Sequence, residues 1–195
     1  MNRKNPQIVL ASASPRRREF LSMIGIKDFE VCPAIGDEKA DESLPFGDMV
    51  VDIAYQKCIE VASKYDEDVV IISADTVVEI DGHILGKPHS VEEARAMLSA
   101  LSGHMHTVYT GVIVKRGEHE VKKYHKTDVY MRAMSPEEID AYIKTGEPMD
   151  KAGAYGIQGI GGIFIERVDG EYANVVGLPI CLLATMLAEV GVSVL

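Results

Sequence analysis

The stretch "LASASPRRREFL" (residues 10–21) sets two serines and a proline before three consecutive arginines in an otherwise acidic chain. Ser14 can cap a helix with Pro15 at its first position, so the free N–H groups of the helix start would face the "SASP" loop. An anion is favoured there by donors and dipole together. Arg16 and Arg17 then fall in the first turn, where cations are unfavourable unless something negative is near. Either a bound phosphate or Glu19 and other surface acids would meet that need.

Asp75 follows "VVIIS" and an alanine, and a carboxylate at the end of a buried strand is costly unless paired or bound to a cation. The alternative is a capping or turn role. Glu38, in "GDEKADE", reads alone as a solvated loop acid; with Asp75 it can hold a divalent ion through oxygen ligands, water completing the shell. Lys57 and Lys87 each read alone as solvated lysines. Gln158 lies among glycines at 153, 156, 159, 161 and 162, which permit close backbone approach to a ligand. Its amide offers a donor and an acceptor to a base edge, or else ties down the loop.

Other sites are excluded by spacing. The "GKP" at residues 86–88 is not G-x-x-x-x-G-K-[ST], and no G-x-G-x-x-G precedes a helix. No H-E-x-x-H occurs among the six histidines, and His104 and His106 read as surface residues rather than zinc ligands.

The elements that must carry these residues alternate. Residues 8–12 and 29–32 read as strands, residues 68–80 as a central strand, and "HIL" as its return after the Asp81-Gly82 turn. A helix from about Met49 to Lys64 directs Val50, Ile53, Ala54, Ile59 and Val61 to the core. Capping boxes at Ser90-Glu93 and Ser135-Glu138 start two more helices, a long hairpin turns at Gly117, and a last helix spans about Pro179 to Glu189. This is an α/β pattern with a mixed sheet and no clean domain boundary.

The chain has 195 residues, 47% of them hydrophobic, enough for one substantial core or two small lobes sharing a cleft. With 20 basic against 30 acidic residues the net charge is −10, which argues against a nucleic-acid or anionic-membrane binder. Three scattered cysteines read as reduced, packed thiols, and the basic start "MNRKNPQIVL" has no long apolar stretch after it, so a cytoplasmic protein is expected. No run reaches the ~20 apolar residues of a membrane helix.

Taken together, "LASASPRRREFL", "GDE", "AYQK", "SADTVV", "LGKP", "LSGHMHTVYTG" and "DKAGAYGIQG…GIFIERVDGEYANVVGLP" resemble, in order, the Maf family of nucleoside triphosphate pyrophosphatases, first named for an effect on septum formation. The resemblance runs from Ile8 to about Glu189 and implies a two-lobed fold like that of inosine triphosphate pyrophosphatases, with an extended mixed β-sheet and a central cleft. It implies one Maf-like domain over residues 1–195, whose members often dimerise, so a homodimer is one expectation. Asp75 matches the catalytic aspartate, with Glu38 as second carboxylate for Mg²⁺ or Mn²⁺. Ser14, Arg16, Lys57 and Lys87 match positions around the phosphates. Thr76 and Gln158, with Arg16, match positions linked to substrate choice, and "AYGIQG" resembles the branch acting on dTTP and UTP. One departure is Cys58, where the family commonly has alanine. The implied reaction is water attack on the α-phosphorus of a small nucleoside triphosphate. The rivals are a non-catalytic nucleotide-binding regulator of cell division, which would not need Asp75, and a phosphomonoesterase, which would release orthophosphate.

Overall fold

The computed structural model describes residues 6–194; the basic residues at the start of the chain, within residues 1–5, lie outside the described residues. Its regular elements are β1 (Ile8–Leu10), α1 (Pro15–Met23), β2 (Phe29–Val31), α2 (Phe46–Ala62), β3 (Val70–Ile80), β4 (His83–Leu85), α3 (Val91–Leu101), β5 (Met105–Arg116), β6 (His119–Met131), α4 (Pro136–Lys144), β7 (Ile165–Asp169), α5 (Tyr172–Val176) and α6 (Ile180–Glu189). Three short 3-10 turns lie within residues 147–164. The strands hydrogen-bond in the order β2-β1-β3-β5-β6-β7, with β4 added to β3. β1 pairs in parallel with β2 and β3, while β3–β4 and β6–β7 are antiparallel, which is the mixed α/β sheet expected. Among the described residues no helix is long and apolar enough to cross a membrane.

The chain divides into two compact units. Of the described residues, the first takes those up to Asp75, Thr110–His125 and those from Gly177 on; the second takes Thr76–Tyr109 and Lys126–Val176.

In the first unit, Val9, Ala11, Ile71 and Ile113 of the strands pack on Ala54, Cys58 and Val61 of α2. The helix comes so close to β5 that a methyl group at Gly111 would lie 2.5 Å from the Val50 carbonyl oxygen. Ile59 does not face the core as expected but is exposed, and Cys58 is buried in its place. The stripe runs 50, 54, 58, 61 at i+4 and i+3, which leaves position 59 about 100° to one side. Burial pushes the Cys58 thiol up to about 12, so it is an inert packing group.

In the second unit, α3 and α4 bury Leu98, Leu101, Ile139 and Ile143 with Val78, Val108 and Val129 of the strands. The Ser135-Glu138 box is complete, the Ser135 hydroxyl accepting from the Glu138 N–H and Glu138 accepting from the Ser135 N–H. At Ser90 only half of the box forms, because the Glu93 carboxylate accepts from the His89 N–H instead. His104 is exposed as expected, but His106 is buried on the inner face of β5, 1% exposed, with Nε2 2.8 Å from the Tyr155 hydroxyl. Burial lowers its pKa from 6.5 to about 4, against a smaller opposing effect of Asp128.

The unfolded chain therefore takes up a proton below pH 6.5 that the native state refuses until about pH 4. The native state should lose about 3 kcal/mol of stability across that interval as pH falls, with the full contribution present above pH 6.5. Urea unfolding at pH 7 and 5 checks this, with His106→Phe expected to flatten the slope. An unchanged slope in that variant would assign the pH dependence to other groups.

Candidate active site

The polar side chains of the first unit meet where β1 stops. Its parallel pairing to β3 ends at Leu10–Ile72, with one further bond from the Ala11 N–H to the Ile72 carbonyl, while β3 runs on to Ile80. Asp75 is therefore not at the end of its own strand, as the sequence suggested, but just beyond the carboxyl end of its parallel neighbour. In open α/β sheets ligands gather at such ends.

α1 starts at the same place. Ser14 caps it as expected, its hydroxyl accepting from the Arg17 N–H at 3.4 Å, with Pro15 at the first position. Arg17 turns inward: its guanidinium donates to the carbonyls of Ala74 and Gly177, both at 2.8 Å, and to the Ser12 hydroxyl at 3.1 Å. Desolvation lowers its pKa, Asp75 and Glu38 oppose that, and Arg16 adds to it. Backbone carbonyls, with the nearby carboxylates of Asp75 and Glu38, thus answer the conflict of this cation at a helix start. Arg17 is a structural clamp between α1 and the residue before Asp75. Arg16, in the same turn, is half-buried.

α2 sets the next contacts by matching two periods. Ser73 and Asp75 lie on one face of β3, and Ala54 and Lys57 lie one turn apart on α2. The Ser73 hydroxyl donates to the Ala54 carbonyl at 2.6 Å, and Lys57 Nζ donates to Asp75 Oδ1 at 2.6 Å. Lys57 also meets Glu38 at 3.0 Å; the Lys57 and Asp75 side chains are about 15% exposed, that of Glu38 49%. The expectation that Lys57 is a solvated side chain fails, since it bridges two carboxylates.

Glu38 is brought there by a loop that reads as solvated in the sequence. The Glu60 carboxylate accepts from the Ile35 and Gly36 N–H groups, which hold it below the usual carboxylate range. Gln56 pairs with the backbone of Lys39 on the other side, accepting at 3.2 Å and donating at 2.8 Å. These two α2 residues, four apart, pin the loop on either side of Glu38. Sequence reasoning misses both of them, and also the carbonyl partners of Arg17, which are distant in the chain.

Among the described residues, no three His, Cys, Asp or Glu side chains gather as a metal cluster. Two carboxylates converging on one point nevertheless fit a hard divalent ion, because Mg²⁺ characteristically takes one or two carboxylates and fills its shell with phosphate oxygens and water.

The family model described as Maf-like protein matches residues 7–190. The chain belongs to the Maf family. A "dTTP/UTP pyrophosphatase" of Agathobacter rectalis is 49% identical over 207 residues, covering 96% of this chain and 99% of that protein. Proteins of the same name from Caldicellulosiruptor bescii and Clostridium beijerinckii are 47% and 49% identical over 95% and 94% of this chain, and over 95% and 99% of their own lengths. A solved HAM1 protein from Coxiella burnetii shares the fold, with a TM-score of 0.52 at 13% identity over 94% of this chain and 99% of its own. The other residues that the Maf resemblance singled out belong to the second unit. Thr76 follows Asp75 in β3, Lys87 is exposed after β4, and Gln158 is exposed on a turn in the glycine-rich stretch.

Proposed function

We propose that this Maf protein hydrolyses dTTP and UTP to the nucleoside monophosphate and pyrophosphate. The observation that carries the reading is the convergence of Asp75 and Glu38 on Lys57, beside the first turn of α1. The names borne by its relatives supply the substrate class.

In this reading Lys57 holds Asp75 Oδ1, leaving Oδ2 to take a proton from the attacking water. The α1 N-terminus and Arg16 favour the phosphates, since donors and charge sit there before substrate arrives. Glu38 and Asp75 would hold Mg²⁺ or Mn²⁺ with the substrate. When bound, the ion offsets phosphate charge and lowers the pKa of water.

A screen of UTP, dTTP, CTP and GTP with Mg²⁺ or Mn²⁺, identifying both products, tests the proposal. Pyrophosphate from UTP and dTTP is expected; orthophosphate, or binding without turnover, would overturn it. Lys87 separates charge from architecture. It is exposed and forms no hydrogen bond or ion pair among the described residues. Lys87→Ala should therefore leave the free energy of urea unfolding within about 0.5 kcal/mol of the parent yet lower kcat/KM for UTP by about tenfold or more. Unchanged kcat/KM would remove Lys87 from the phosphate-binding set.

A further inference from the structure

Glu147, in "TGEPMD", has no part in the reaction described, yet the glycine-rich stretch is built around its carboxylate. Oε2 accepts from the Ile160 N–H at 2.8 Å, and Oε1 accepts from the Gly161 N–H at 3.0 Å and from the Tyr142 hydroxyl at 2.8 Å. The Tyr142 hydroxyl in turn accepts from the Gly156 N–H at 3.0 Å. Tyr142 is buried and stacks edge-on to Phe164, so the anchor stands on the core. Three peptide N–H groups, at 156, 160 and 161, are thereby fixed from below.

Between them the Gly159 N–H closes a turn onto the Gly156 carbonyl at 3.2 Å, with Ile157 and Gln158 at its two central positions. Gln158 is exposed at the tip, its amide free to face outward. Three of the glycines have a further reason in the anchor itself. A methyl group at Gly156 would lie 2.6 Å from Lys151 Cε, one at Gly159 would strike the Glu147 carboxylate, and one at Gly161 the Tyr142 hydroxyl. They let the backbone close on the anchor.

We infer that Glu147 is a positioning residue for base selection, fixing the turn that presents Gln158; this rests on the reading that the protein hydrolyses dTTP and UTP and that Gln158 reads the base. A carboxylate is the group the site needs, because it only accepts and its two oxygens serve three donors. Burial works against its charge, but the two peptide N–H groups and Tyr142 outweigh it and hold its pKa below the usual range. A glutamine of the same shape would turn NH₂ hydrogens towards one of those donors and release part of the turn.

The test compares the full-length parent with Glu147→Gln, Gln158→Ala and the double variant. The readouts are the ratio of kcat/KM for UTP to that for GTP and amide exchange at residues 156–161. Glu147→Gln is expected to lower the ratio by about tenfold, the scale of one lost buried hydrogen-bonding partner, and to speed exchange at 160 and 161. The double variant should fall no further than Gln158→Ala alone. A ratio that stays at the parent value in Glu147→Gln while falling in Gln158→Ala would overturn the proposal, as would an equal loss on all substrates. If neither variant moves the ratio, the proposal also falls, and faster exchange in Glu147→Gln would then locate the failure in the reading of Gln158 rather than in the anchor. Should Glu147→Gln fail to fold, Tyr142→Phe removes one donor from the same carboxylate and is expected to lower the ratio severalfold; an unchanged ratio there would count against the anchor.

Discussion

Asp75→Asn should keep the fold and lose UTP hydrolysis by at least ~100-fold, the usual scale for removing a general base. The amide oxygen can still accept from Lys57 at the position of Oδ1, so α2 stays docked on β3 through that contact and through Ser73. The ability to take a proton from water is what disappears. Initial rates with UTP, set beside the urea midpoint, separate the two effects. Near-normal turnover by a folded Asp75→Asn protein would contradict the assignment of the base.

Lys57→Met carries the second large effect, and it falls on both activity and stability. The methionine stem can fill most of the same space, but Asp75 loses the ammonium 2.6 Å away and Glu38 loses its contact at 3.0 Å. An exposed pair would cost about 0–1 kcal/mol and a fully buried one about 3–5 kcal/mol. For these two largely enclosed partners a loss on the order of 2 kcal/mol is expected, along with ~100-fold or more in kcat/KM. Adding Asp75→Asn should restore part of the stability, since the largely enclosed carboxylate is then no longer left unpaired, without restoring any activity. Unchanged stability in Lys57→Met would mean that the ion pair does not hold helix and strand together.

What could be read from the sequence was local. Ser14 with Pro15, the Ser135-Glu138 box and the apolar approach to Asp75 each act within a few residues, so their patterns survive in one dimension. The contacts that assemble the site do not. Glu60 reaches back to Ile35 across 25 positions, and Arg17 finds Gly177 across 160, with no spacing rule to announce either. Ile59 falls at the margin of a broad apolar stripe, and the helical period gives the core position to Cys58 instead. His106 reads as a surface residue in the sequence, but β5 turns it inward and Tyr155 gives it a partner. The short α5 was not foreseen; at five residues it leaves too little apolar periodicity to detect.

The central claim is that water attacks the α-phosphorus of UTP with Asp75 as the base. Hydrolysis in ¹⁸O-labelled water, with both products analysed by mass spectrometry, tests it most directly. The expected result is one labelled oxygen in UMP and none in pyrophosphate, lost together with turnover in Asp75→Asn. Label in the pyrophosphate would place the attack on the β-phosphorus, and labelled orthophosphate beside UDP would place it on the γ-phosphorus; either would contradict the mechanism.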